Sequence, residues 1–350
     1  MTGPRPPGRG LFFRFAHAAW WLHVLATLGV LLVLNVIAIV IAAVFFVNFV
    51  NEHGPVKDET PRRSAVPADE ASALARRFAP MLKLDSRELF VPIRQAVYVR
   101  ETQLKEEEGR FFKLIEAAPL LDKLPAVEGS CLRSRGCQYF LDVRGVEPHP
   151  PKHSERAYAD LENHLLRIGE KPTIHAHVTR YDDSGDYAVQ YWFLYLFNYR
   201  LNEHESDWEQ ITIRLDEDKY PVDALYSAHA GGNISPWSEI EKEGDHPVVY
   251  PARGSHANYF KSGKHRVHIV CKRVIGSFGA CFKARKFVVD LADGGGRTLG
   301  PGDYTLANMT GPVFIGSYGS GNYVILTRKP DVLADPRARS AWADPLSAFR

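Results

Sequence analysis

Along residues 207–215 (DWEQITIRL) polar and apolar positions alternate, and Ile211, Ile213 and Leu215 fall on one face together with Asp207 and Glu209. A period of two predicts a strand whose apolar face is buried. Two carboxylates aimed into that face are costly unless positive charge meets them, and a bound cation is the simplest source. His204, just ahead of the strand, offers a third ligand. The competing reading is a hydrogen-bonded cluster that braces the strand ends.

Strand-like runs rich in β-branched and aromatic residues recur at 173–180, 187–198, 207–215, 222–230, 247–252, 266–273 and 312–326, separated by Gly, Asp, Asn and Pro turns. Residues 89–99 also look strand-like, interrupted by Pro92. Helical spacing is confined to two stretches. Residues 69–78 place Leu74 and Phe78 four apart before Pro80, and Ser154 caps a run in which Tyr158, Leu161, Leu165 and Ile168 share a face. The charged run 105–108 reads as a solvated loop. Many short strands without alternating helices predict a mainly β fold, an antiparallel β-sandwich with a few peripheral helices.

Ahead of this domain the pattern changes. From Phe15 to Asn51 no residue carries a formal charge, and 22–46 is almost wholly apolar. That exceeds the roughly 20 residues that span a bilayer and the roughly 7–15 of a signal-peptide core. The chain therefore reads as a cytoplasmic N-terminus (1–17), one transmembrane anchor (18–50), a Pro-punctuated linker (51–70), the β-sandwich (71–330) and a C-terminal tail (331–350). Arg5, Arg9 and Arg14 precede the anchor while Glu52, Asp58 and Glu59 follow it, which places the N-terminus in the cytoplasm and the domain outside it, in a single-pass membrane protein.

Composition adds two points. The formal net charge of the 350 residues is +2, giving no basic excess that points to nucleic acid. The four cysteines form two close pairs, Cys131 with Cys137 and Cys271 with Cys281, a pattern that suits local disulfide loops in an oxidising compartment. Three connectivities remain open. A four-cysteine zinc site is the alternative, although neither pair has the CxxC spacing of zinc ribbons.

Other candidate ligands follow the opening stretch. His229 precedes Ala230-Gly231-Gly232, where backbone can approach a ligand closely, and His256 lies in Gly254-Ser255-His256-Ala257-Asn258 directly after an apolar run. With the acidic pair they make a mixed oxygen and nitrogen set, suited to Mg²⁺ or Ca²⁺ first and to Zn²⁺ or Mn²⁺ as well. His175 and His177 share a strand face that reads as solvated. Ser255 beside His256 is not a Gly-x-Ser-x-Gly elbow, which discounts a serine hydrolase. The glycine run 293–297 opens no helix and reads as a turn.

The block from Gln190-Tyr-Trp-Phe-Leu-Tyr-Leu-Phe-Asn198 through His204-Glu-Ser-Asp-Trp-Glu209, Tyr226-Ser-Ala-His-Ala230 and His246-Pro-Val-Val-Tyr250 to Gly254-Ser-His-Ala-Asn-Tyr-Phe260 resembles the vacuolar protein sorting-associated protein 62 family, as does the earlier Glu88-Leu-Phe-Val-Pro92. More distantly, His204-x-x-Asp207-Trp208-Glu209 is similar to the Gly-His-Arg-His-Asp-Trp-Glu heptad of the necrosis-inducing cytolysins. That likeness implies a β-sandwich holding a divalent cation and binding sphingolipid headgroups, with cation ligands at His204, Asp207 and Glu209. The heptad's first glycine and second histidine are Glu203 and Ser206 here, and Asn198 stands where an upstream aspartate is expected.

These readings converge on a membrane-anchored, extracytoplasmic β-sandwich. Its cation sits at His204, Asp207 and Glu209, its cleft is lined by Asn198, His229, Ser255 and His256, and it recognises a glycan or lipid headgroup. The alternatives are a metal-dependent hydrolase of phosphoesters or glycosides, with Glu209 or His256 moving protons, and a structural protein of the envelope or sorting machinery.

Overall fold

The computed structural model describes residues 29–30, 61–108, 111–125, 137–146, 153–200, 203–229, 231–271, 274–275, 280–281, 284–314, 316–319 and 335–349. The anchor expected at 18–50 lies outside the described residues apart from Gly29 and Val30, which are helical, and Cys131 lies outside them as well. Residues 61–350 form a unit of their own, separate from residues 1–60.

In chain order the domain runs β1 (Arg63–Ala65), α1 (Ala68–Arg77), β2 (Met81–Lys83), α2 (Gln95–Arg100), β3 (Thr102–Glu108), β4 (Phe111–Glu116), β5 (Cys137–Val143), α3 (Glu155–Arg167), β6 (Thr173–Tyr181), β7 (Tyr187–Asn198), β8 (His204–Leu215), β9 (Pro221–Ala228) and β10 (Gly231–Pro236). It continues with β11 (Lys242–Glu243), β12 (His246–Pro251), β13 (Asn258–Tyr259), β14 (Gly263–Cys271), β15 (Val274–Ile275), β16 (Ala280–Cys281), β17 (Ala284–Ala292), β18 (Thr298–Leu299) and β19 (Thr305–Ala307). The fold is mainly β and largely antiparallel. A seven-stranded sheet has the order β1-β6-β7-β8-β9-β10 with β19 added along β6, and a five-stranded sheet contains β11, β12, β2, β18 and β13. Two pairs, β12 with β2 and β19 with β6, are parallel within this mainly antiparallel arrangement.

Strands β7 and β8 are the centre of the large sheet. Every residue of β7 is buried, as its near-continuous aromatic run requires of a strand covered on both faces. Their register sets Tyr195 opposite Asp207, Phe193 opposite Glu209 and Tyr191 opposite Ile211, so one face carries Tyr191, Phe193 and Tyr195 beside Asp207, Glu209 and Ile211. Leu82 of β2, Val249 of β12 and Leu299 of β18 belong to the same apolar core as these strands. The opposite face, with His175, His177, Trp192 and Trp208, is not solvated as expected. Residues 335–349 lie across it: Trp342 stacks on His177 at 3.8 Å between ring centroids, and Gln190 donates to the Ala341 carbonyl at 2.9 Å.

Three local expectations are corrected. Residues 95–100 are helical, because Pro92 ends the extended stretch and the chain turns at Arg94 even though Val97, Tyr98 and Val99 carry strand propensity. The charged run 105–108 belongs to β3, paired on one side with β4 and on the other with β5. The described part of 312–326 forms no strand beyond one bridge from Ser317 to Phe140. Part of the expected linker also joins the fold, since β1 pairs with β6. In the later strands the backbone register sets Cys271 opposite Ala284 and Cys281 opposite Val274.

Candidate functional site

The alternation of β8 carries Asp207 and Glu209 onto the face shared with Tyr195 and Phe193, and four other segments close over them. His204, Asp207, Glu209, Asn198, Ser255 and His256 are each at most 5% exposed. Asp207 Oδ2 accepts hydrogen bonds from Asn198 Nδ2 and from His256 Nδ1, each at 2.9 Å. Glu209 is bonded to the Ser227 hydroxyl of β9. Burial, and then the nearby Asp207 carboxylate, push the Glu209 carboxyl well above the usual range.

His256 reaches the cluster from the turn between β12 and β13. Its N–H donates to the Ala252 carbonyl at 2.8 Å, and its backbone takes a φ of 52°. Gly254 has a φ of 70°, and a Cβ there would come within 2.8 Å of the Tyr199 ring, so glycine is required to form the turn. The imidazole lies flat on Tyr195, centroids 3.8 Å apart, and its Nε2 is 3.6 Å from Glu88 Oε1. Burial disfavours a charge on this ring, but the Glu88 and Asp207 carboxylates outweigh it and raise the imidazole to about 9. The protonated ring therefore places a positive charge between Asp207 and Glu88.

Glu88 is held by the N–H groups of Gly254 at 2.6 Å and Phe90 at 3.0 Å. Glu162 of α3 accepts from the Val91 N–H at 2.7 Å, and burial raises its carboxyl to about 8. His204 Nδ1 stands 2.6 Å from the Ser206 carbonyl, where Ser206 has a φ of 54°. Its N–H sits on Nδ1, and Nε2 carries the lone pair. Burial lowers its basicity and keeps it neutral. Four further side-chain atoms around the acids are buried without a hydrogen-bond partner: Tyr195 Oη, Ser255 Oγ, His256 Nε2 and Asn258 Oδ1.

Of the residues singled out from sequence, His204, Asp207, Glu209, Asn198, Ser255 and His256 come into this region. His229 does not bond to the acids. Its Nε2 pairs with Asp290 Oδ2 at 2.7 Å, which also accepts from the Tyr259 hydroxyl at 2.7 Å. Among the described residues, no three His, Cys, Asp or Glu side chains are drawn together closely enough to hold a metal ion in the positions they take here. Two surface hollows, of about 510 Å³ beside Asp160 and Arg167 and about 380 Å³ beside Arg214 and Phe349, are lined by none of these site residues. Glu88, Glu162, Tyr195, Ser227 and Asn258 were not anticipated. Glu88 lies in the Glu-Leu-Phe-Val-Pro motif, which was the one available signal for it.

The family described as vacuolar protein sorting-associated protein 62 matches residues 183–276, which contain β8 and the His256 turn. A vacuolar protein sorting-associated protein of Saccharomyces cerevisiae, TDA6, is 25% identical over 230 residues, covering 53% of this chain and 46% of that protein. The chain thus spans less than half the length of that relative. Among solved structures, NLPPya in complex with glucosamine aligns with a TM-score of 0.31 at 18% identity, over 57% of this chain and 71% of that one. The non-toxic HaNLP3 protein aligns with a TM-score of 0.31 at 14% identity, over 70% of this chain and 79% of that one. The resemblance to the vacuolar protein sorting-associated protein 62 family read from the sequence is met, and structures with the toxin fold are among the neighbours.

Proposed function

We propose that this chain is a single-pass membrane protein whose extracytoplasmic β-sandwich binds a divalent cation through His204, Asp207 and Glu209 and, at the same place, a hydroxyl-rich ligand, either a glycan or a lipid headgroup. The observation that carries the reading is the concentration of buried polar atoms without a hydrogen-bond partner, Tyr195 Oη, Ser255 Oγ and Asn258 Oδ1, close to two buried carboxyl groups. Buried polar atoms are nearly always hydrogen-bonded in folded proteins, so several unpaired in one place point to a site for something besides protein.

The donor chemistry fits a cation in kind. His204 has its Nδ1–H committed to a backbone carbonyl, which leaves Nε2 free as a ligand, the arrangement that orients metal-binding histidines. Asp207 and Glu209 supply hard oxygen ligands. A bound cation would favour the ionised form of Glu209 and would orient ligand hydroxyls. Asn198 and His256 hold Asp207 in place, Ser227 holds Glu209, and the Tyr195 hydroxyl and Asn258 amide oxygen offer hydrogen bonds to a ligand's hydroxyl groups.

Elemental analysis of the purified protein, paired with melting in EDTA, tests the cation. About one equivalent of metal and a melting temperature lowered by EDTA are expected, with neither seen for Asp207→Ala. A metal-free protein whose melting EDTA leaves unchanged contradicts the reading.

A further inference from the structure

The near-neutral net charge of the chain conceals a strongly one-sided segment. Residues 261–289 contain eight of the 43 Lys and Arg and none of the 41 Asp and Glu. The structure places most of this segment in one two-stranded ribbon, β14 with β17, whose strands pair with neither large sheet. At its base, one face of the ribbon turns toward the domain: His265 stacks on Tyr259 with centroids 3.7 Å apart, and Asp290, its cross-strand partner, is buried and paired with His229. The register puts Lys264 and Arg266 on the other face. Lys261, Lys264 and Arg266 are exposed, and none of the three forms an ion pair among the described residues. Val289, opposite Arg266, is 40% exposed. Arg200 reinforces the same edge by donating to the Val289 carbonyl at 3.0 Å. Strands β15 and β16 form a separate two-stranded pair.

We propose that the β14–β17 ribbon is a docking surface for an anionic phospholipid bilayer. Charge complementarity carries the argument. Basic residues near an anionic membrane each strengthen binding by about 5-fold, and like charges along one ribbon add. Asp290, the one acid among the described residues of the ribbon, is buried and paired with His229, so it does not neutralise the exposed cations. The surface lies apart from the acidic cluster around Asp207, so it is independent of the cation reading; it draws on the anchor reading only for the nearness of a bilayer.

The test uses the full-length chain mixed with vesicles of phosphatidylcholine alone or of phosphatidylcholine with 30% phosphatidylglycerol, read by flotation and by hydrogen–deuterium exchange of peptides from β14 and β17. The ribbon is expected to be protected only with phosphatidylglycerol, and protection should fade at high salt. In the Lys261→Glu, Lys264→Glu, Arg266→Glu triple variant it should be lost, at about 5-fold per charge removed, while exchange in β7 and β8 stays unchanged and certifies the fold. Equal ribbon exchange with both lipids overturns the proposal, as does protection that the triple variant retains. Protection by a DNA or RNA oligonucleotide in the absence of anionic lipid, at a concentration where phosphatidylglycerol vesicles give none, overturns it in favour of a nucleic-acid surface. Flotation with both lipids but no ribbon protection would leave the anchor standing and remove the docking surface, and flotation with phosphatidylglycerol alone would do the reverse.

Discussion

His256 Nδ1 stands 2.9 Å from Asp207 Oδ2, although the two residues are 49 positions apart in the chain and both are closed off from water. Truncating one member leaves the other buried without its counterpart, which costs about 3–5 kcal/mol. Urea denaturation of Asp207→Ala and of His256→Ala should each show a loss of that order. The double variant should lose clearly less than the two losses combined, because the residues share one interaction.

The buried Glu162 sets a pH dependence of known sign. Its carboxyl is raised to about 8 in the folded protein from an ordinary value of 4.5. The unfolded chain therefore releases this proton first as pH rises. The stability linked to Glu162 is fully present below pH 4.5 and is lost progressively up to about 8, with a slope near 1.4 kcal/mol per pH unit inside that window. Glu162→Gln keeps an oxygen that can accept from Val91. Its denaturation midpoint should respond less to pH across the window than that of the wild type.

The turn that delivers His256 depends on Gly254. Gly254→Ala meets both an unfavourable φ of 70° and the Tyr199 ring. A loss of about 1–3 kcal/mol in stability is expected by thermal and urea denaturation, together with weaker cation binding than in a control substitution at an exposed glycine such as Gly302.

Residues 335–349 act as a cover for the second face of the large sheet. Trp342 lies flat on His177, and the Arg339 guanidinium sits 5.6 Å from the centroid of Trp192. Trp342→Ala should cost about 1–2 kcal/mol in urea denaturation and increase tryptophan quenching by acrylamide as Trp192 opens to water.

How much of this was legible beforehand depended on whether a residue sat in a periodic segment. Asp207 and Glu209 were readable because the period of two ties them to Ile211 and Ile213. His256 was readable because it follows an apolar strand within a glycine turn. Glu88 and Glu162 enter from a loop and a helix far away in the chain, where no pattern marks their approach to His256. The protonated His256 meets Asp207 and Glu88 because those carboxylates raise its affinity for a proton against the effect of burial, and the sequence carries no mark of that pairing. His175 and His177 looked solvated since nothing in β6 records that the chain's last residues return to cover them. Helix α2 resembled a strand because Val97, Tyr98 and Val99 favour extended backbone, and tertiary context overrode that preference. The basic ribbon was hidden by summing charge over the whole chain.

Isothermal titration of Ca²⁺ into metal-stripped protein, compared with Asp207→Asn, tests the central claim most directly. Asparagine preserves the shape of the site and removes one ligand charge. The account predicts one saturable site per chain in the wild type and binding weakened at least about 10-fold in the variant. Identical heats from the two proteins, or no saturable heat from Ca²⁺, Mg²⁺, Mn²⁺ or Zn²⁺ in the wild type, would contradict it.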